Sequence, residues 1–454
     1  MLEPLLTAEE MRAAEAGHDV EALMERAGRA VAERALARFP DARRFAAVCG
    51  GGANGGDGRI ALRVLREAGR EAEETHDLGG ADVVIDALFG TGFVGPPRPE
   101  AAALIAAMNE AAAPVVAVDV PSGVDASTGE VAGEAVRAKV TVTFHGRKVG
   151  LAVSPGRLHA GEVAVADIGL DSAETRHRLV TPSVLTLVPR RGDGDNKYSA
   201  GSVVVVGGAR GLTGAVVLAA EAAFRADAGY VAVAVPASTL PIFETRLLEA
   251  VKRPCPDDGE GRLLEEAADV VLELAERAGA VALGPGLGRS EGTRGLVKRL
   301  LAELETPVVV DADALYELEP GARDAPTVLT PHEGELARLL GEESSWVAAH
   351  RLEALGRAVE RFGCVVLLKG ADTLVGAPGE PVLVRGLNAP GLATAGTGDV
   401  LTGVIAAFLA KGMEAPLAAA AGSVAQAVAA RLAPQQEGLV ASDVVAALPR
   451  ALAL

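Results

Sequence analysis

The segment Ala393–Gly403 reads ATAGTGDVLTG and runs into a long apolar stretch. Gly-Thr-Gly-Asp at a helix start offers unpaired backbone N–H groups to an anion and sets one carboxylate, Asp399, beside them. That carboxylate either assists a hydroxyl attacking phosphorus or caps the helix, and a cap alone needs none of the flanking glycines. A turn of this kind belongs where a strand of an open α/β sheet hands over to a helix. Upstream, apolar runs at Ser202–Val206, Tyr230–Val235, Ala280–Leu283, Pro307–Val310 and Cys364–Leu368 supply such strands. They alternate with helical patterns over 213–227, 293–304, 345–361, 397–411, 416–432 and 441–450. The alternation predicts a mainly parallel sheet covered on both faces.

Further motifs fall at the ends of these strands. The run NKYSAGSVVVVGGARGLTGA (196–215) closes in a Gly-rich turn, and GPGLG (284–288) marks a tight path where a ligand can lie against backbone. DADAL (311–315) puts two acids at a strand end, and their i, i+2 spacing sends one of them into a cleft. TPHEGE (330–335) holds His332, for which a structural role beside proline is the plain alternative to a ligand contact. KGADT (369–373) follows VVLL directly, which places Lys369 where phosphate oxygens arrive.

The first 170 residues repeat the architecture. Thr7 and Glu10 form a capping-box pattern, and strands are expected at Phe45–Cys49, Asp82–Leu88, Pro114–Val118 and Lys139–Phe144. CGGGANGGDG (49–58) joins the first strand to a helical pattern and suits a phosphate. Asp57 there is a helix cap, a ribose partner or a cation ligand. DALFGTGFVGPP (86–97) and VDVPSG (118–123) again set an acid at a strand end before a turn. Asn54, Asp57, Asp86, Asp119 and Ser122 together are rich in oxygen and lack Cys and His, which fits a hard cation such as K⁺ or Mg²⁺ and not zinc. Lys148, just past the last strand, pairs with Asp119, meets a phosphate or does neither. Residues 171–196, with two prolines and no sustained period, read as a connection, so the division is 1–170, 171–196 and 197–454.

Composition narrows the partners. Of 454 residues 49% are apolar, enough for more than one core, whereas aromatics at 3% disfavour stacking platforms for single-stranded nucleic acid. The formal charge of −18 repels nucleic-acid backbones and anionic lipid, so anions must be gripped locally by backbone amides, single basic residues or a metal ion. Three widely spaced cysteines argue against a disulfide framework or a zinc site. The acidic N-terminus lacks the regions of a signal peptide, and no run reaches the ~18 apolar residues of a membrane span. A soluble, cytoplasmic protein that binds small-molecule nucleotides, with neither nucleic acid nor membrane as partner, is expected, and a homo-oligomer with it.

The ordered set CGGGANGGDG, DALFGTG, VDVPSGVD and TVTFHGRKVGL resembles the epimerase domain of the NAD(P)H-hydrate repair proteins, the YjeF N-terminal family, over residues 5–170. The resemblance implies that Ala53, Asn54, Gly55, Gly56 and Asp57, the loop Gly90, Thr91, Gly92, Phe93, Val94, Gly95 and Pro96, and Asp119 bind the hydrated nucleotide. It implies K⁺ ligands at Asn54, Asp86 and Ser122, and a catalytic role for Asp119. Two departures stand out: Ala53 replaces a usual Asn, and the stretch from Asp57 to Asp86 is short, as if the sheet lacked an edge element.

The second series, NKYSAGSVVVVGGA, TGA, GPGLG, DADAL, TPHEGE, KGADT and NAPGLATAGTGDVLTG, resembles the ribokinase-like superfamily and, within it, the NAD(P)H-hydrate dehydratase domain of the YjeF C-terminal family, over 197–454. The resemblance implies hydrate contacts at Ala215, Gly286, His332 and Asp399. It implies adenine-nucleotide contacts at Lys369, Gly370, Ala371, Asp372, Thr373 and Gly398, with Asp399 as base and Mg²⁺ accompanying ADP or ATP. The fold expected is a Rossmann-like three-layer α/β/α domain followed by a ribokinase-like α/β domain. The function implied is epimerisation of R and S hydrates of NADH and NADPH and dehydration of the S form at the expense of ADP or ATP. The alternative is a ribokinase-like small-molecule kinase fused to a nucleotide-binding module without catalysis.

Overall fold

The computed structural model describes residues 1–171, 174–321 and 323–453, so 172 and 173 of the expected connection lie outside the described residues. The chain divides into two compact units. One is Pro4–Leu179 with Ala348–Leu352; the other is Met1–Glu3, Val180–Val347 and Glu353–Leu454.

The first unit holds a six-stranded sheet, all parallel, in the order Glu71–Glu74, Arg44–Cys49, Val83–Ala87, Val115–Val118, Val140–Phe144 and Glu162–Ala166. Its inner strands are unbroken buried runs, as a parallel sheet covered on both faces requires. Alternate side chains serve opposite faces. Val83 and Ile85 pack with Val31 and Leu62 from the helices Val20–Arg38 and Ala53–Glu67. Val84 packs with Ile105 and Met108 from the helix Pro99–Glu110. This is the expected three-layer α/β/α arrangement. Two edge strands escape sequence reading. EAEE at 71–74 lacks β-branched residues and forms only by pairing with Arg44–Ala47, and EVAVA at 162–166 pairs with the last inner strand. The short stretch between Asp57 and Asp86 therefore still supplies an edge strand.

In the second unit nine strands run in the order Val251–Cys255, Tyr230–Pro236, Ser202–Val206, Ala280–Leu283, Val308–Val310, Thr327–Leu329, Val365–Leu368, Thr373–Gly376 and Val382–Arg385. All neighbours are parallel until Val365–Leu368, after which two antiparallel hairpin strands finish the series. Four helices, Thr213–Arg225, Thr397–Ala410, Ala415–Leu432 and Ala441–Leu452, pack on one another against the sheet. The Ala-rich helix Ala415–Leu432 is core of its own unit: Ala418 to Ala430 are buried without interruption. The expected helix over 345–361 is two, Ser344–Ala349 and Arg351–Phe362, divided at His350.

Small residues let these helices approach. A Cβ placed on Gly403 would sit 2.1 Å from the Ala219 carbonyl oxygen, which belongs to the backbone and cannot swing away. Gly403→Ala is expected to destabilise the second unit by about 1–3 kcal/mol through overpacking. Thermal unfolding followed by circular dichroism should show a Tm lower by several degrees, and an unchanged Tm contradicts so close an approach.

Candidate functional site

The first unit gathers its oxygen ligands at the carboxyl ends of the central strands, where ligands of open α/β sheets bind. The helix Ala53–Glu67 starts on Gly52 without a side-chain cap, so Asp57 lies inside the helix and is not its cap. Asn54 donates from Nδ2 to the Phe89 carbonyl at 2.8 Å. A Cβ on Gly90 would meet Asn54 Oδ1 at 3.0 Å, so the loop after the second acid lies directly against the first Gly-rich turn. Phe89 stacks on Phe93 at 4.6 Å, and Val94 in the same loop is 77% exposed. Asp86 is fully buried and takes hydrogen bonds from the Ser122 hydroxyl (2.6 Å), the Ser122 N–H (2.8 Å) and the Leu88 N–H (3.3 Å). Burial pushes its carboxyl up to about 6 despite those donors.

Asp119 adopts φ 65° and leans on Lys148, whose ammonium lies 2.7 Å from Asp119 Oδ1. Lys148 is itself completely buried, so of the three alternatives open in the sequence it takes the carboxylate. Asp57 is buried too, its Oδ1 has no hydrogen-bond partner, and burial, then Asp119 and Glu15, push it up to about 8. Ala53 is exposed at the helix start, and Gly55 and Gly56 pack inward on Gly50 and Met24.

In the second unit the helix Thr397–Ala410 is capped by Gly396, which puts Asp399 in its first turn without a capping bond. The Asp399 carboxylate has no hydrogen-bond partner among the described residues. Burial, then the charges of Asp311 and Asp313, push it up to about 7, with Lys369 opposing them. Lys369 donates to Asp311 Oδ1 at 2.8 Å and lies 3.8 Å from Glu335. Asp311 is 1% exposed, and its other oxygen accepts from the Thr402 hydroxyl at 2.7 Å. Burial alone would raise the Asp311 carboxyl, yet Lys369 and the Thr402 hydroxyl hold it below the usual range. Burial would likewise drive a proton from Lys369, and Asp311 and Glu335 more than offset it. A Cβ on Gly398 would lie 3.5 Å from Lys369 Nζ, so the helix N-terminus, the ammonium and Asp399 face one space.

The remaining expected residues separate. Gly286, at φ 56°, and Ala215 meet across the site: a Cβ on Gly286 would be 3.1 Å from the Ala215 Cβ. His332 caps the helix Glu333–Leu340, its Nδ1 accepting from the N–H groups of Gly334 (3.0 Å) and Glu335 (3.4 Å), which leaves the ring proton on Nε2. Gly370 and Ala371 are exposed in the turn of the antiparallel hairpin, and Asp372 is buried. The Thr373 hydroxyl is buried and accepts from the Arg385 guanidinium at 2.9 Å. Of the DADAL acids, Asp311 turns to Lys369, while Asp313 accepts from the Gly288 N–H at 3.0 Å and pairs with Arg289 at 2.8 Å. Sequence reasoning missed Thr402, which lies within the quoted motif, and Glu335, which is half of a capping box with His332. It also missed Arg385, which nothing short of the hairpin pairing reveals.

A family profile described as NAD(P)H-hydrate dehydratase matches residues 203–450, and one described as YjeF-related protein N-terminus matches 20–76 and 67–150. Bifunctional NAD(P)H-hydrate repair enzymes are similar along nearly the whole length. That of Moorella thermoacetica is 38% identical, covering 95% of this chain and 92% of its own. That of Coxiella burnetii is 36% identical, covering 96% and 95%. Among solved structures, the ADP/ATP-dependent NAD(P)H-hydrate dehydratase of Bacillus subtilis, co-crystallised with ATP/Mg²⁺, is 28% identical with a TM-score of 0.54, covering 60% of this chain and 96% of that one. A ribokinase-like superfamily protein of Enterococcus faecalis, 24% identical over 62% of this chain and 98% of its own, shares the fold with a TM-score of 0.53. Two sites at the strand ends of two α/β units, each inside its matching profile, agree with relatives that carry both units: the chain belongs to the family of bifunctional NAD(P)H-hydrate repair enzymes.

Proposed function

We propose that the second unit dehydrates the S hydrate of NADH or NADPH at the expense of ADP or ATP, and that the first unit interconverts the R and S hydrates. The observation that carries the dehydratase reading is the convergence of Asp399, Lys369 and the helix N-terminus at Gly398. Hydroxide leaves a ring carbon poorly and phosphate leaves well. Asp399 takes the proton of the ring hydroxyl as that oxygen attacks the terminal phosphoryl group, and AMP departs when ADP is the donor. The Gly396–Gly398 turn and Lys369 receive the charge that builds on the phosphoryl oxygens. The ring nitrogen then pushes out phosphate, the neighbouring carbon loses a proton and the ring double bond returns. A stable phosphorylated product would favour the small-molecule kinase instead.

Gly370, Ala371, Asp372 and Thr373 with Gly398 hold the adenine nucleotide, and Ala215, Gly286 and His332 hold the hydrate. The Thr373 hydroxyl oxygen accepts from Arg385, which fixes that side chain and leaves its O–H to donate. Among the described residues no group of three His, Cys, Asp or Glu side chains could hold a metal ion. Mg²⁺ accompanying the nucleotide would supply charge neutralisation at its phosphates. In the first unit Asn54, Asp86 and Ser122 suit K⁺. Asp86 is a buried carboxylate whose three partners are neutral donors, and Asn54 commits its Nδ2 to Phe89, leaving Oδ1 toward the Gly90 loop. Ala53, Gly55, Gly56, Asp57, Asp119 and the loop Gly90–Pro96 surround the hydrate there. Three free cysteines support a cytoplasmic setting; among the described residues no helix is long and apolar enough to cross a membrane. A homo-oligomer belongs to the same reading.

Asp399→Asn should lower dehydration about 10²–10⁴-fold, the usual contribution of a general base, and leave epimerisation untouched. Regained absorbance of the nicotinamide ring measures the first, and chromatographic separation of the epimers the second; full dehydration by the variant refutes the base. A base is active when ionised, so wild-type dehydration should rise as pH climbs through about 7 and level off above it. Asp86→Asn should abolish the response of epimerisation, and of the first unit's thermal stability, to K⁺. An unaltered K⁺ response in both removes Asp86 from the ligand set.

A further inference from the structure

Lys148 is spent inside the protein. Its ammonium lies 2.7 Å from Asp119 Oδ1, 2.8 Å from the Phe144 carbonyl, 3.0 Å from the Thr143 hydroxyl and 3.3 Å from the Gly146 carbonyl. Three N–H groups meet four oxygens, which leaves none for a phosphate. Everything that grips Asp119 grips one oxygen: Oδ1 also accepts from the Thr143 hydroxyl at 3.0 Å and the Phe144 N–H at 3.4 Å. Oδ2 takes no hydrogen bond among the described residues and is the oxygen left to receive a proton. The backbone of Asp119 is held in the left-handed region at φ 65°, its N–H tied to the Val142 carbonyl at 2.7 Å, so the aim of Oδ2 is set on both sides.

Asp57 is placed the opposite way. It is 7% exposed, its Oδ1 is buried without a partner, and no cation among the described residues pairs with it. The ionisable groups around the two acids are Glu15 on the helix Ala8–Glu15, Lys148, and His145, whose proton affinity is lowered by burial and by Lys148. Glu15 and Asp119 both disfavour a charge on Asp57. A carboxylate gripped by an ammonium beside a buried carboxyl that lacks one is an arrangement suited to a base and an acid.

We propose that Lys148 is a positioning residue that makes Asp119 the proton acceptor and leaves Asp57 the proton donor of a ring-opening epimerisation. The inference rests on the epimerase reading above. Hydration of a ring double bond beside nitrogen puts the hydroxyl on the carbon bonded to that nitrogen. Asp119 takes the hydroxyl proton, the O–H pair becomes the C=O bond, and the C–N bond breaks with its electrons going to nitrogen, which Asp57 protonates. The open aldehyde turns about a single bond. Nitrogen then adds to its other face, Asp119 returns the proton to oxygen and Asp57 recovers its proton from nitrogen. Nothing is oxidised or reduced, and no water is consumed.

The test is the pH profile of epimerisation in the full-length protein with K⁺, followed by separating the R and S hydrates, for wild type, Lys148→Met and Asp57→Asn. Dehydration of pure S hydrate by each chain reports that the second unit is intact, and thermal unfolding followed by circular dichroism reports whether the first is folded. Wild type should give a bell, falling on the alkaline side as the donor ionises near pH 8. Lys148→Met should lower kcat at least 10-fold with KM within a factor of three, and move the acid limb to higher pH. Asp57→Asn should lower kcat about 10²–10⁴-fold and lose the alkaline limb. Should Lys148→Met unfold the first unit, Asp57→Asn still decides. Turnover in H₂¹⁸O should leave the ring hydroxyl unlabelled beyond the uncatalysed rate. A wild-type acid limb and kcat in Lys148→Met, an alkaline limb retained in Asp57→Asn, or one ¹⁸O gained per epimerisation each overturns the proposal. A wild-type chain that does not epimerise overturns the epimerase reading itself and this inference with it.

Discussion

A lysine ammonium driven into the protein against a strand-end aspartate is the interaction on which each unit's site depends. Lys148 meets Asp119 at 2.7 Å in the first unit, and Lys369 meets Asp311 at 2.8 Å in the second. Removing one member of a buried pair strands the other charge, at about 3–5 kcal/mol. Such pairs add little net stability, so their value here is geometric. Each fixes a carboxylate at the point where the central strands end and backbone amides converge.

Each unit also holds one acid that forms no ion pair among the described residues. Asp57 rises to about 8 and Asp399 to about 7, both chiefly by burial and then by a neighbouring aspartate. In each case that neighbour is the lysine-paired one, Asp119 for Asp57 and Asp311 for Asp399. A paired carboxylate beside an unpaired one lets a single site both bear charge and move a proton near neutral pH. On the reading proposed above, an acidic chain of net charge −18 meets polyanionic nucleotides through helix N-termini and, in the second unit, the Lys369 ammonium, while Lys148 is spent on Asp119.

Much of this was legible in the sequence because strand ends in parallel sheets are written as apolar run, acid and glycine. KGADT, CGGGANGGDG and VDVPSG each follow a strand directly, ATAGTGDVLTG opens its helix after a one-turn segment at Pro390–Leu392 and not at a strand end, and the helices Thr397–Ala410 and Ala415–Leu432 lie within a residue of their expected bounds. What stayed hidden depends on contacts distant in sequence. The strand Glu71–Glu74 is polar and exists only by pairing, and Thr373 is a strand residue because Val382–Arg385 pairs with it. His332 caps a helix whose start no spacing betrayed, since histidine seldom does so. The link from Asp311 to Lys369 spans 58 positions, and only the adjacency of their strand ends brings it about.

The most direct test of two cooperating sites is to incubate the purified protein with a mixture of R and S NADH hydrates, ADP, Mg²⁺ and K⁺. Absorbance of the reduced nicotinamide should return in full, with one AMP and one phosphate formed per ring restored. Recovery that halts once the S form is gone, faster than spontaneous epimerisation can replenish it, or a phosphorylated product that persists, would contradict the account.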